Sequence, residues 1–210
     1  MIEEKKGAIL ILSGPSGCGK STLLNEVYKD IGDYHFSIST TTRDIRAGEE
    51  DGKDYYFVTK QEFEKDIIND NFLEWAEVHG NYYGTSLKPI LKALNEGKLV
   101  IFDIDVQGHE IVREKLDRVV TSVFITTPSL KELENRLYGR NTDSSEVIEK
   151  RLSNSKEEIK SFQKYDYLII NDDLQTASKQ LVSIANITRI KSKLFENDLI
   201  LSDWLEKGED

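Results

Sequence analysis

Four apolar runs, separated by amphipathic stretches, set the rhythm of the chain. Ala8 to Ser13 (AILILS) is continuously apolar and ends in a glycine-rich loop. A short run of this kind reads as a strand buried on both faces of a parallel sheet. Leu99 to Ile104, Val119 to Thr126 and Tyr167 to Ile170 read the same way. Between them apolar residues return at helical spacing, beginning with Leu23, Leu24 and Val27. Thr59 with Glu62, and Ser129 with Glu132, carry the spacing of a capping box at a helix start. Pro89 suits the first turn of another helix and Gly97 its end. Strands alternating with helices imply an α/β fold with a parallel sheet covered on both faces.

Residues 34–86 break that rhythm. Short alternating segments (His35 to Ser39, Asp54 to Val58, Leu73 to Val78, Asn81 to Gly84) sit among Thr, Gly, Tyr and charge. This stretch reads as an inserted substrate-binding subdomain of mixed α/β structure. Residues 129–163 are helical, hold Arg136, Arg140 and Arg151, and read as a mobile cover. The core is then 1–33, 87–128 and 164–193. A polar, acidic tail follows over 194–210, broken by Leu199 to Leu201 and Trp204. No internal repeat is apparent.

The loop after the first strand carries the strongest chemistry. Gly14-Pro15-Ser16-Gly17-Cys18-Gly19-Lys20-Ser21 satisfies G-x-x-x-x-G-K-[ST] in full and is followed by Thr22 on the helix. Glycines let the backbone wrap a phosphate with its N–H groups inward, and the helix N-terminus adds positive potential. Lys20 reaches the β- and γ-phosphates of ATP, and the Ser21 hydroxyl suits Mg²⁺. Asp103, closing an apolar strand, has the form of the aspartate that holds Mg²⁺ directly or through water. Asp105, two positions on, shares that sheet face and is a candidate for the metal shell or the acceptor. This strand–loop–helix predicts the three-layer fold of P-loop nucleotide phosphatases and kinases. Cys18 reads as a small loop residue, since nothing pairs with it.

Ser39-Thr40-Thr41-Thr42-Arg43-Asp44-Ile45-Arg46-Ala47-Gly48-Glu49 is a second anion site by composition. Two arginines three apart grip phosphate oxygens and the hydroxyls complete the shell. At this point the sequence resembles the guanylate kinases, in ordered motifs covering Gly7 to about Ile190. They are GPSGCGKSTL, STTTRDIRAGE, GKDYYFV, FLEWAEVHGNYYGT, FDIDVQG, the arginines near YGRNTDSSEVIEKRL, and NDD. The resemblance implies that Ser39, Arg43, Arg46, Tyr55 and Tyr83 hold the phosphate of GMP. Glu74 would accept from the guanine N1–H and amino group, and Thr85 would donate to the guanine carbonyl. Asp105 would lie near the guanine or the transfer site, Arg136, Arg140 and Arg151 would close over the phosphates, and Asn171 would sit near the adenine of ATP. A carboxylate beside a hydroxyl matches the edge of guanine, whereas adenine would leave the carboxylate facing a bare ring nitrogen. Mismatches of this kind discriminate by about 10⁴-fold. Two positions depart from the family pattern: Ile45 stands where proline is common, and Asn141 where glycine is common. Asn tolerates left-handed backbone, so the turn survives.

Bulk properties narrow the remaining classes. The formal net charge of -10 argues against nucleic acid as a partner. No run approaches a membrane span, and Met1 to Lys6 lacks a signal-peptide core. One cysteine allows no internal disulfide. The expectation is a cytoplasmic enzyme, of open oligomeric state, acting on ATP and GMP with Mg²⁺. His79, His109 and Cys18 show no zinc spacing, and Trp75, beside Glu74, reads as a core aromatic. The alternative is an inactive guanylate-kinase-like module that binds protein partners, which the intact phosphate loop disfavours. A same-fold kinase for another phosphate ester would have no need of Glu74 with Thr85. A GTPase switch would need a guanine motif of the N-K-x-D type, which is absent.

Overall fold

The structure, a computed structural model, describes residues 6–46, 48–78, 80–139, 143–195 and 197–206. The chain runs β1 (Ala8–Ser13), α1 (Lys20–Val27), β2 (Tyr34–Phe36), β3 (Thr40–Thr41), β4 (Tyr56–Phe57), α2 (Lys60–Ile68), β5 (Phe72–Val78) and β6 (Asn81–Ser86). It continues with α3 (Leu87–Asn95), β7 (Leu99–Asp103), α4 (Val106–Leu116), β8 (Val120–Thr126), α5 (Leu130–Gly139), α6 (Ser145–Glu158), β9 (Tyr167–Ile170), α7 (Leu174–Thr188) and α8 (Asn197–Glu206).

Five strands form a parallel sheet in the order β2-β7-β1-β8-β9. Its middle strand is β1, which explains the unbroken apolar run: alternate residues enter two different cores. Leu10 and Leu12 pack with Leu23 of α1, Leu133 of α5 and Leu181 of α7. Ile9 and Ile11 pack with Ile90 of α3 and Val112 of α4. The helices therefore cover both faces, as the alternation of elements requires. The segment expected at His35 to Ser39 is instead Tyr34–Phe36. It pairs with β7 as the fifth parallel strand, so the insert leaves the main sheet only after it.

The insert is a four-stranded sheet, β4-β3-β6-β5, with α2 against one face. The capping box of α2 is complete: Glu62 N–H donates to Thr59 Oγ1 at 3.2 Å, and Thr59 N–H to Glu62 Oε2 at 2.8 Å. At α5 only half a box forms. Glu132 N–H donates to Ser129 Oγ at 3.1 Å, but the Glu132 carboxylate turns to Arg136. The acidic tail forms α8, where the sequence showed no periodic signal strong enough to assign a helix. Among the described residues no helix is long and apolar enough to cross a membrane.

His109 of α4 is buried, stacked on Tyr165 with ring centroids 4.0 Å apart, and neither ring nitrogen has a hydrogen-bond partner. Burial first, then the Arg113 charge, holds its pKa below the ordinary 6.5, against smaller upward pulls from Asp166 and Glu110. The unfolded chain thus takes up a proton that the fold resists. Stability should fall as pH drops from about 7 to about 5. His109→Phe, which keeps the stack, should flatten part of that slope in urea titrations at several pH values; His35, also depressed by burial, leaves a remainder.

Candidate active site

β1 delivers the phosphate loop to the edge of the sheet between β7 and β8. Gly14 has φ 146° and passes so close to β8 that a Cβ there would lie 1.9 Å from the Ile125 carbonyl oxygen. Gly19 has φ 96°, and its Cβ would fall 2.5 Å from Asn171 Nδ2. Both positions need glycine for backbone angle and for space. The loop feeds α1, whose first turn holds Lys20, Ser21 and Thr22 and no acid, so nothing opposes the dipole's attraction for an anion. Lys20 Nζ donates to the Gly14 carbonyl at 2.8 Å and lies 3.7 Å from Asp103 Oδ1. Burial pushes the Asp103 carboxyl above the usual range, and Lys20 pulls it part of the way back. Cys18 is buried, and burial raises its thiol pKa, in keeping with a packed loop residue. Ser21 and Asp103 are hard oxygen donors flanking the loop, a donor set that suits Mg²⁺ completed by phosphate oxygens and water.

Asn171 follows β9 and is buried, and its side-chain amide donates to the Cys18 carbonyl at 2.9 Å. It braces the loop from behind. The family resemblance had pointed it toward adenine, with no hint of this contact.

The segment read as a cover forms α5 and α6. Arg136 Nε donates to Glu132 Oε1 at 2.8 Å, and its Nη1 is 3.9 Å from the Cβ position of Gly19. Arg151 Nη1 donates to Ser16 Oγ at 3.3 Å, and Nη2 pairs with Asp143 at 3.3 Å. Two of the three expected arginines therefore reach the phosphate loop. Arg140, like Asn141, lies outside the described residues. Glu158, at the end of α6, was not singled out from sequence. Burial raises its carboxyl pKa, while the nearby Lys20 lowers it and Asp105 raises it. Nothing in the sequence separates it from the three other glutamates of that helix.

The insert's expected acceptor residues lie on the sheet face opposite α2. Phe63 of α2 stacks on Phe72 and Tyr82 on one side of the sheet. The register places Tyr83, Thr85, Glu74 and Phe57 on the other side. The Arg43 guanidinium lies over Tyr55 and Phe57, 5.5 and 5.7 Å from the ring centroids, and Tyr55 meets Tyr83 edge-on at 6.2 Å. Ser39 precedes β3, its carbonyl accepting from Tyr56 N–H at 2.9 Å, and Arg46 is exposed on the loop. Ile45, the departure from the family's proline, is 52% exposed and carries no contact of the site.

Glu74 and Thr85 are cross-strand partners, and Thr85 Oγ1 donates to Glu74 Oε1 at 2.6 Å. A hydroxyl has one proton, so Thr85 can give it to a guanine carbonyl only by rotating away from Glu74. A ligand presenting N–H groups to Glu74 would compensate that loss. Asp105 is the N-cap of α4, with Oδ1 accepting from Gly108 N–H at 2.8 Å. That oxygen therefore serves the helix, whichever role the rest of the carboxylate takes. Trp75, expected in the core, is instead 46% exposed and packs edge-on against Tyr82, because the register turns it away from Glu74.

A glycine-rich phosphate loop on a central parallel strand, with arginine-bearing helices beside it and a second, smaller sheet, defines a P-loop phosphotransferase. The family model described as guanylate kinase matches residues 6–187. A guanylate kinase of Sulfurimonas denitrificans is 55% identical over 203 residues, 97% of this chain and 98% of that protein. One of Wolinella succinogenes is 48% identical over 98% of this chain and 96% of that protein. The crystal structure of guanylate kinase from Anaplasma phagocytophilum has a TM-score of 0.69 at 32% identity, covering 95% of each chain. The chain belongs to the guanylate kinase family.

The brace behind the loop has a measurable weight. Asn171→Ala leaves the Cys18 carbonyl without its buried donor and should lower the unfolding free energy by about 1–3 kcal/mol, read from urea denaturation. An unchanged midpoint would mean that the amide contributes nothing there.

Proposed function

We propose that this guanylate kinase moves the γ-phosphoryl group of ATP onto GMP, and onto dGMP, giving ADP and GDP for purine nucleotide metabolism. The observation that carries the acceptor is the Glu74–Thr85 pair, set on the same sheet face as Tyr83 and the rings under Arg43. One face thus offers a reader for two adjacent N–H donors beside a grip for a phosphate. Both belong to one nucleoside monophosphate.

In this reading the backbone N–H groups of Gly14 to Ser21, with Thr22, hold the ATP phosphates, and Lys20 turns from the Gly14 carbonyl to them. Ser39, Arg43, Arg46, Tyr55 and Tyr83 hold the GMP phosphate. Ser21 and Asp103 would hold Mg²⁺, which supplies charge neutralisation at the transferred group. The cover brings Arg136, Arg140 and Arg151 over the phosphates and excludes water, which would otherwise hydrolyse ATP. A GMP phosphate oxygen attacks the γ-phosphorus in line, and the cationic side chains stabilise the charge spread over the equatorial oxygens. No histidine is needed as a base. Asp105 stands near the Lys20–Glu158 side of the cleft and positions α4.

A coupled ADP-release assay across GMP, dGMP, AMP, CMP and UMP tests the acceptor. Turnover should be greatest with GMP, and a preference for AMP would defeat the reading. Lys20→Ala should abolish transfer while leaving GMP binding intact by calorimetry. Glu74→Gln puts an amide donor against guanine donors, and should raise KM for GMP by roughly 10–100-fold with KM for ATP little changed.

A further inference from the structure

Glu49 makes three contacts that neither the family motif nor the proposed roles account for. Its Oε1 and Oε2 accept from Arg43 Nη2 at 2.7 and 3.0 Å, and Oε2 also accepts from the Arg46 backbone N–H at 2.8 Å. Arg43 Nη1 donates to the Asp44 carbonyl at 2.6 Å. Both side chains are largely shielded, at 12% exposure for Arg43 and 21% for Glu49. The pairing lowers the Glu49 carboxyl pKa and raises that of Arg43.

We infer that Glu49 is a positioning residue for the acceptor phosphate: it fixes the Arg43 guanidinium over Tyr55 and Phe57 and holds the backbone N–H of Arg46. This rests on the reading of Arg43 as a GMP-phosphate ligand. The alternative role is a competitor, a carboxylate occupying the place of the phosphate. Two features favour positioning. Glu49 and Asp44 are engaged through Nη2 and Nη1, so the Nε–H is used by neither. Tyr83, itself assigned to the phosphate site, also hydrogen-bonds the guanidinium, so the Glu49 contact leaves that side of Arg43 turned toward the site. The third contact, to Arg46 N–H, ties down loop backbone and has no purpose in mere competition. Ordering a loop costs about 1–2 kcal/mol per residue in backbone freedom. A carboxylate that has already fixed two arginine-bearing positions spares GMP that cost. Its repulsion for the phosphate acts in the opposite direction, so the two roles predict opposite signs for the change in KM for GMP.

The test is steady-state kinetics on the full chain with Glu49→Ala, Glu49→Gln, Arg43→Ala and the double variant Arg43→Ala/Glu49→Ala. Glu49→Ala should raise KM for GMP about tenfold or more, corresponding to one lost charge-assisted bond. KM for ATP should stay within about twofold, the smaller size expected where no phosphate-loop contact is lost. Glu49→Gln keeps one acceptor and should fall between. In the Arg43→Ala background the Glu49→Ala effect should shrink to the part supplied by the Arg46 N–H contact, because the rest acts through that guanidinium. An unchanged or lowered KM for GMP in Glu49→Ala would overturn positioning, the lowered value pointing to competition. A parallel rise in KM for ATP with a lower melting temperature would overturn it in favour of general loop folding. If Arg43→Ala itself leaves KM for GMP unchanged, the reading of the phosphate site fails and takes this inference with it. A large Arg43→Ala effect with a silent Glu49→Ala sinks the inference alone.

Discussion

Cations that must converge on one chain of phosphates repel one another before it arrives, and an acidic protein must keep them from collapsing onto stray carboxylates. Here four cations assigned to the cleft already have acceptors. Lys20 holds the Gly14 carbonyl and lies near Asp103. Arg43 holds Glu49 and the Asp44 carbonyl, Arg136 holds Glu132, and Arg151 holds Asp143 and Ser16. These pairs are partly solvated, so each adds little to stability. Their value lies in direction. A guanidinium held on one side still offers N–H groups on another, and Lys20 is already at the loop it serves. The net charge of -10 is therefore compatible with anion binding, because several of the acids are the scaffold of the cations.

The same economy of direction explains what sits behind the loop. Backbone N–H groups aimed at a phosphate must leave carbonyls pointing elsewhere, and a buried carbonyl needs a donor. Asn171 supplies one to Cys18, and β8 leaves just enough room for Gly14. The left-handed glycines and this brace are two parts of one requirement.

Much of this was legible in the sequence where it follows from periodicity. The buried strands were readable because burial on both faces demands apolar residues throughout, as at Ile9 to Leu12. The phosphate loop was readable because its glycines are dictated by backbone angles. The strand at Tyr34–Phe36 was misplaced because its three residues, one exposed and two half-buried at a sheet edge, show no apolar run. Trp75 was misjudged for another reason: a large aromatic suggests core, yet its face is set by register, which sequence does not display. The Glu49, Glu158 and Asn171 contacts join residues whose partners become neighbours only on folding, and an acid near an arginine in sequence is too common a pattern to single out.

Register also decides where Glu74 points. In a regular strand Phe72 and Glu74 would share a face, since alternate residues point the same way. They do not: the pairing shifts between them, with Phe72 opposite Ser86 and Glu74 opposite Thr85. Leu73 is the extra residue, and it is buried in the core formed with α3 and α4, while Lys115 of α4 donates to its carbonyl at 2.5 Å. A bulge re-aims the side chains that follow it. Phe72 thus stays with Phe63 in the insert's own core, and Glu74 swings to the face of Thr85 and Tyr83. One irregular residue joins three tasks: it packs the insert against the main domain, preserves the aromatic core beneath it, and turns a carboxylate into the cleft. An ideal strand of the same composition could satisfy any two of these and would place the carboxylate against Phe63.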